Sequence, residues 1–199
     1  MSGETSRDWR RAADLVDDLA TQPPWLRGLL TWMTEFVGRP RPEMNRSGDV
    51  CPFVRPALRK NLILLGVSGL DGSDLPAICA ELLGLRADFL ALAPAPPDPE
   101  HVNKALVHAF PRIDSDRGIL LKRAREAIKP AFLEVGLTCG EFYDANEDRS
   151  VRSAELRIAA SPVPCLAVRY LMPHDELFLK SQSDLYPIYE AWRRAHSSS

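Results

Sequence analysis

The chain lacks the features that mark several common classes of protein. Its 199 residues carry a net charge of only −2, which gives no general attraction to nucleic acid or to an anionic membrane surface. No stretch approaches the roughly 18 uninterrupted apolar residues of a membrane span. Charged side chains interrupt residues 7–20, where a secretory signal would need an apolar run. We therefore predict a cytoplasmic protein without nucleic-acid or membrane partners.

The motifs of metal, disulfide and nucleotide sites are missing as well. The four cysteines lie far apart with no C-x-x-C pair, so the sequence predicts neither a structural zinc site nor a disulfide framework. No H-x-x-x-H or E-x-x-H spacing supports a metal cage. The glycines of residues 66–72 match neither the P-loop nor the dinucleotide-binding pattern. A nucleotide-binding fold is therefore not indicated.

Regular patterns of apolar residues are present along most of the chain. They predict helices over residues 7–20, 24–37, 74–90, 114–135 and 184–196, and strands over residues 62–67, 102–110, 137–143 and 165–172. Four strands with segregated helices indicate an α+β fold: an antiparallel sheet of about four strands, two N-terminal helices and a C-terminal helix. A ferredoxin-like sandwich is one arrangement that fits this order.

The length favours one domain, because chains of about 100–200 residues are the usual domain size. We divide the single domain 1–199 into a helical N-terminal segment (7–37), a loop (38–57) and an α+β core (58–196). The nineteen residues from Gly38 to Pro56 have no helical or strand period, and loops of that length are usually functional or disordered. The apolar residues in this loop favour an ordered one.

Cys51 is the loop residue best suited to chemistry. It precedes Pro52, and the charges of Arg46 and Arg55 nearby would lower the pKa of its thiol and favour the thiolate, which is the nucleophile and the metal ligand. The alternative is that Cys51 and its apolar neighbours attach the loop to the core, since free cysteine is often buried.

Heme is the one cofactor that the sequence suggests. Cysteine followed by proline occurs in proteins that bind heme through the cysteine sulfur, which makes Cys51 a candidate ligand. His108 lies near the end of a predicted strand, where a histidine can act as an acid, a base or an axial heme ligand. A core histidine with satisfied hydrogen bonds is the alternative for His108. No metal other than a heme iron is indicated.

Basic residues are concentrated between positions 39 and 60, with six arginines and lysines against two acidic residues. A guanidinium group binds a carboxylate or a phosphate through a bidentate fork. We predict that Arg46 and Arg55 of the loop, with Arg169 of the last strand, hold the anionic group of a small-molecule substrate. A solvated surface run is the alternative.

Cys139, Glu141 and Tyr143 alternate along one predicted strand, so a period of two places them on one face. A glutamate on an otherwise apolar strand needs solvent or a partner, and Arg169 is the obvious one. Glu141 is therefore either half of a structural ion pair or a general base, with Tyr143 as a hydrogen-bond donor. We expect Glu141 and Tyr143 to face the Cys51 loop.

Three stretches carry a family resemblance: VCPFV at residues 50–54, GLTCGEF at residues 136–142 and SPVPCLAVRYLMPHDELFL at residues 161–179. Together they resemble a bacterial family labelled only as a domain of unknown function, over about residues 38–192. The resemblance implies a small biosynthetic enzyme, since such proteins are common in actinobacteria and are often encoded beside genes for specialised metabolites. It adds weight to Cys51 and Glu141. Members tend to carry a histidine where this chain has Tyr143, so the resemblance assigns no histidine role there.

These observations predict a small tailoring enzyme of specialised metabolism that acts on an amino-acid-like or carboxylate substrate. A heme-dependent oxidation is the most concrete mechanism. The alternative is a non-catalytic binding or assembly protein of a biosynthetic cluster, because every candidate residue also has a structural interpretation. A homodimer is compatible with both.

Overall fold

The computed structural model describes residues 7–45, 47–149 and 155–196, and its architecture is α+β, as predicted. The described residues form β1 (Arg10–Arg11), α1 (Ala12–Asp17), α2 (Pro24–Trp32), α3 (Val54–Arg59), β2 (Ile63–Val67), α4 (Leu75–Ala91), β3 (Ala105–Ala109), α5 (Ile119–Leu133), β4 (Leu137–Phe142), β5 (Cys165–Tyr170), α6 (Glu176–Leu179) and α7 (Tyr186–His196). A π-helical turn, Met33–Val37, extends α2. Among the described residues, no helix is both long and apolar enough to cross a membrane.

The five strands form one sheet in the order β1-β2-β3-β5-β4. β2 and β3 are parallel, with Gly66 opposite His108, and the other neighbouring strands are antiparallel. The sheet is mixed rather than wholly antiparallel because α4 returns the chain to the end of the sheet where β2 began. From β2 onward the order is β-α-β-α-β-β, which differs from the β-α-β-β-α-β order of a ferredoxin-like fold.

The strand that the sequence did not predict is β1, which lies inside the segment predicted as one helix over residues 7–20. Arg10 pairs with Leu65 of β2 and Arg11 with Leu64, so α1 begins only at Ala12. Two adjacent arginines carry no strand pattern, and the helical spacing of the apolar residues around them hid the pairing. The N-terminal segment therefore runs along the outer edge of β2.

Helices cover both faces of the sheet, and each face has its own core. On what we call the α1–α3 face, residues of α1, α2 and α3 pack on alternate strand residues that include Leu65, Val107 and Cys165. On the α4–α5 face, α4 and α5 pack on the intervening strand residues, which include Leu106, Val168 and Cys139. Each fully buried leucine contributes roughly 2 kcal/mol through the apolar surface it removes from water.

The long loop is shorter than predicted because α3 begins at Val54, inside the stretch that had no visible period. The described residues of the remaining stretch, 38–45 and 47–53, make backbone contacts: Cys51 N–H donates to Val37 O, and Val50 N–H donates to Arg39 O, both at 2.9 Å. A bridge between Pro40 and Asp49 closes the loop on itself. These contacts join the described residues of the loop to the end of α2 and to one another.

Candidate active site

Cys51 lies at the end of the 38–53 loop, just before the turn that leads into α3. Its Sγ accepts hydrogen bonds from the backbone N–H groups of Phe53 and Val54. Burial raises the pKa of the Cys51 thiol, because desolvation outweighs those donors and the nearby charge of Arg169. The predicted lowering of this pKa is wrong. The environment favours a neutral thiol that attaches the loop to α3.

Two of the three arginines predicted to bind a substrate anion are paired with carboxylates of the protein itself. Arg55 makes a bidentate ion pair with Asp49, in which Nε donates to Oδ2 at 2.8 Å. Arg169 donates to both carboxylate oxygens of Asp175, at 2.8 and 2.6 Å. The third, Arg46, lies outside the described residues. Neither Arg55 nor Arg169 therefore offers an unpaired guanidinium fork to a substrate.

Cys139, Glu141 and Tyr143 share one face of β4, as the period of two predicts, but it is the α4–α5 face. The 38–53 loop and α3 lie on the opposite side of the sheet, so the prediction that Glu141 and Tyr143 face Cys51 is wrong. Burial raises the pKa of Cys139 to about 12 and also raises the pKa of Tyr143. Both side chains therefore keep their protons at neutral pH.

Glu141 is held by α5 rather than by the neighbouring strand. Arg125 donates from Nε and Nη2 to the two carboxylate oxygens of Glu141, at 2.7 and 3.0 Å. The predicted ion pair between Glu141 and Arg169 is wrong, because Arg169 points to the other face of the sheet. The Glu141 and Arg125 side chains are only 4% and 14% exposed, so this pair joins a strand to a helix.

His108 on β3 is fully buried on the α4–α5 face, with one ring nitrogen bonded and the other without a partner. Nε2 lies 2.6 Å from Oε1 of Glu81 on α4. The hydroxyl of Ser68 donates to the second oxygen of Glu81, at 3.1 Å. Nδ1 is buried and has no hydrogen-bond partner among the described residues. Buried polar atoms normally have one, so the orphaned Nδ1 requires an explanation.

The charge of Glu81 determines which nitrogen of His108 carries the hydrogen. Burial alone would raise the pKa of Glu81, but the hydrogen bond and charge of His108, the Ser68 hydroxyl and the charge of Arg7 together lower it. An ionised carboxylate only accepts hydrogen bonds, so Nε2 carries the hydrogen that points to Oε1. Whenever the ring carries a single hydrogen, that hydrogen is on Nε2 and the lone pair is on Nδ1. The result is a base held in a fixed orientation.

Gly66 provides the space beside this nitrogen. A Cβ at position 66 would lie 2.8 Å from Nδ1 of His108 and 2.6 Å from the ring of Trp9, so a larger residue would clash with both. The Trp9 ring lies 6.0 Å from the imidazole, centroid to centroid, and comes from the N-terminal segment along β2. Nδ1 thus faces the outer edge of β2 and is covered there by Trp9.

Gly66 also lines a cleft of about 330 Å³ at the carboxyl ends of β2 and β3. Its walls are mainly apolar and include Leu26 and Leu29 of α2, and Arg10 of β1 also lines it. In open α/β sheets, ligands bind outside the carboxyl ends of the strands. The volume is at the lower end of the roughly 300–1,000 Å³ of small-molecule pockets. The leucines of this cleft belong to the core of the α1–α3 face, whereas His108 points to the α4–α5 face. The backbone of β2 at Gly66 therefore lies between the cleft and His108, and Trp9 covers the His108 side.

Comparison with known proteins identifies a family and gives no activity. The family model described as Domain of unknown function (DUF6875) matches residues 26–198. The chain belongs to the DUF6875 family. A search of curated proteins found no match, and a search of solved structures also found none. The DUF6875 match includes His108, Glu81 and Ser68, whereas Trp9 and Arg10 precede it.

The predicted heme ligands of this DUF6875 protein do not form a heme site in this structure. Cys51 and His108 lie on opposite faces of the sheet, and Nε2 of His108 is bonded to Glu81. Neither residue lines the cleft or a smaller cavity of about 160 Å³ beside Gly38 and Arg55. Cys51 and His108 therefore do not hold one heme together in this arrangement. Heme binding stays a prediction from the sequence, and the presence of a Soret band in the purified DUF6875 protein tests it.

Glu81 and Arg125 are two of the site residues that the sequence reasoning missed. Both lie on the buried faces of their helices: Glu81 is three residues from Ile78 and four from Leu85, both buried, and Arg125 is three residues before the buried Ile128. A charged residue at such a position needs a partner in the core. From that spacing in the sequence, both residues could have been identified as charged groups with a partner in the core.

Proposed function

We propose that this protein is a small biosynthetic enzyme that takes a carboxylate-bearing small molecule into the cleft and transfers a proton through His108. One observation carries the proposal. The imidazole is held by the carboxylate of Glu81 at 2.6 Å, and its Nδ1 has no described partner beside the cleft-lining Gly66. The setting in specialised metabolism is part of the proposal and comes from the family resemblance of the sequence.

The proposed chemistry is general acid–base catalysis. Nδ1 of His108 removes a proton from the substrate, and the Glu81 carboxylate stabilises the imidazolium that results. The same nitrogen then returns the proton to a second atom of the substrate, so the reaction is an isomerisation with no net change in protonation. Ser68 keeps Glu81 in place through the second carboxylate oxygen. A positioned acid–base group typically contributes about 10²–10⁴-fold to the rate.

The lining of the cleft suggests the class of substrate. Walls from Leu26, Leu29 and Leu65 suit an aliphatic or aromatic body. Arg7 is occupied by an ion pair with Asp88. Arg10 makes no ion pair with a described residue, so its guanidinium group is able to bind a substrate carboxylate.

A non-catalytic binding protein is the second candidate function. The observation that favours it is the Trp9 ring, which lies against the imidazole of a His108 that has no solvent exposure. The cleft and His108 lie on opposite faces of the sheet, so a substrate in the cleft reaches Nδ1 only when the N-terminal segment that carries Trp9 moves off the edge of β2, whereas a binding protein needs no such access. The two candidates share the cleft and differ in their need for His108.

Deletion of the gene, followed by complementation, tests the proposal. We expect the deletion strain to accumulate a carboxylate-bearing metabolite that mass spectrometry identifies. Genes for the wild type and for Cys51→Ala should restore its conversion, because Cys51 neither lines the cleft nor lies on the face of the sheet that carries His108. The His108→Gln gene should not, although a glutamine amide still bonds to Glu81 and supports the fold.

A second variant separates the cleft from the histidine. Val67 lines the cleft and is 53% exposed, so Val67→Trp should fill the cleft and stop conversion without disturbing the core. Thermal unfolding of each purified variant shows whether it is folded. Normal conversion by a folded His108→Gln variant would reject the enzyme in favour of the binding protein. Normal conversion by Val67→Trp as well would reject any role of the cleft.

A further inference from the structure

A row of aromatic side chains lies on the α1–α3 face, away from His108. The guanidinium of Arg41 lies over the ring of Phe36, 4.9 Å from its centroid. Phe36 is nearly parallel to Trp32 at 6.5 Å, and Trp32 contacts Phe142 of β4 at 5.4 Å, centroid to centroid. We call these four side chains the aromatic row. It leads from the 38–53 loop to the strand at the edge of the sheet.

Two N–H groups of the aromatic row are buried without a hydrogen-bond partner among the described residues. They are Nε1 of Trp32 and Nε of Arg41, on side chains that both contact Phe36. Arg41 donates from Nη2 to the backbone oxygen of Glu35 at 3.1 Å, and it makes no ion pair with a described residue. A buried donor without an acceptor is costly. Two of them on one row indicate an acceptor that the described protein does not supply.

The backbone presents the row beside an uncovered part of the sheet. The π-helical turn Met33–Val37 carries Phe36, and such turns occur frequently at functional sites. A Cβ placed on Gly140 would meet only the Phe142 ring, at 3.7 Å, so the sheet surface next to the row is open. There is therefore space for added atoms on β4 beside Phe142.

We propose that the aromatic row binds an aromatic carboxylate. The carboxylate accepts hydrogen bonds from Nε1 of Trp32 and from Arg41 once the side chains that cover these N–H groups move aside, and the ring of the ligand packs against Phe142. Charge-assisted bonds to a guanidinium group are among the strong hydrogen bonds of proteins, and offset or edge contacts between aromatic rings add to them. This site does not depend on the proposed function, because it lies on the opposite face from His108 and shares no residue with the cleft.

The indole N–H signals of ¹⁵N-labelled protein test the proposal. The chain has four tryptophans, and tryptophan-to-phenylalanine variants assign their signals. The probes are phenylacetate, benzoate and indole-3-acetate, with phenylacetamide as the uncharged match of phenylacetate. We expect phenylacetate to move the Trp32 signal in a saturable way and phenylacetamide to leave it unchanged. The Trp25 signal reports separately on the cleft, which Trp25 lines.

Arginine variants identify the partner of the carboxylate. Arg41→Gln should weaken phenylacetate binding by about tenfold or more. Arg39→Gln is the matched control, because Arg39 lies in the same loop with an exposed side chain, and it should leave the affinity unchanged. Arg41→Lys, which keeps the charge but loses the Nε–H group, serves if Arg41→Gln fails to fold.

Three results would overturn the aromatic carboxylate site. They are a Trp32 signal that none of the three carboxylates moves, an equal shift with phenylacetamide, and an affinity that no Arg41 variant changes. A shift confined to Trp25 would also overturn it, since it would place the carboxylate in the cleft and support the cleft alone.

Discussion

Removing one partner of the ion pair between Arg125 and Glu141 should destabilise the fold strongly, whereas replacing both partners should not. Its two hydrogen bonds, at 2.7 and 3.0 Å, and its low exposure make it a buried pair. Removing one partner of such a pair costs about 3–5 kcal/mol, because the other charge is left without a partner in the core. Replacing both by apolar residues is often close to neutral. We therefore expect Glu141→Leu and Arg125→Met each to lower the free energy of unfolding by about 3 kcal/mol, and the double variant to lose under about 1 kcal/mol.

Urea-induced unfolding at neutral pH measures these differences. The exposed pair of Arg39 and Glu35 is the matched control, since its side chains are more than half exposed, and Glu35→Gln should cost under about 1 kcal/mol. A loss of less than about 1 kcal/mol for Glu141→Leu would refute the reasoning. So would a double variant that loses the sum of the two single effects, because the pair would then not be coupled.

Four further predictions each concern the surroundings of one residue. Burial lowers the pKa of Lys104 to about 8. In the unfolded chain this amine keeps its proton up to about pH 10.5. The free energy of unfolding of the wild type should therefore rise between pH 8 and 10.5, by up to about 3 kcal/mol relative to Lys104→Met, and urea titrations measure it. Gly66→Ala should lose about 1–3 kcal/mol in the same assay, because its Cβ meets Trp9 and His108. Trp9→Ala should raise the labelling of His108 by diethyl pyrocarbonate, measured by mass spectrometry, and unchanged labelling would show that Trp9 does not cover it. The Cys51 thiol should react slowly with a disulfide reagent below pH 9, since burial raises its pKa; fast reaction at neutral pH would contradict this.

Periodicity predicted the elements of this fold well where they pack on a core. The four predicted strands and the terminal helix are present because each buries a regular set of apolar residues. α3 and β1 were not predicted. A helix of six residues and a strand of two are too short for a period to emerge, and tertiary contacts rather than their own sequence stabilise them.

The candidate site was only partly predictable. His108 was identified from its position near a strand end, but its partner Glu81 comes from a helix 27 residues earlier. Glu141 was assigned to the wrong partner because sequence order does not reveal that Arg169 points to the opposite face. Cys51 shows a further limit, since the charge of neighbouring arginines suggested a lowered pKa, whereas desolvation, which depends on the fold, dominates and raises it.

The rate at which purified variants convert the accumulated metabolite tests the central proposal most directly. If Nδ1 of His108 is the base, the His108→Gln variant should retain less than about 1% of the wild-type kcat/KM. The Cys51→Ala variant should retain nearly all of it, because Cys51 does not line the cleft and lies on the opposite face of the sheet from His108. A folded His108→Gln variant with wild-type activity, or a Cys51→Ala variant with none, would contradict the account.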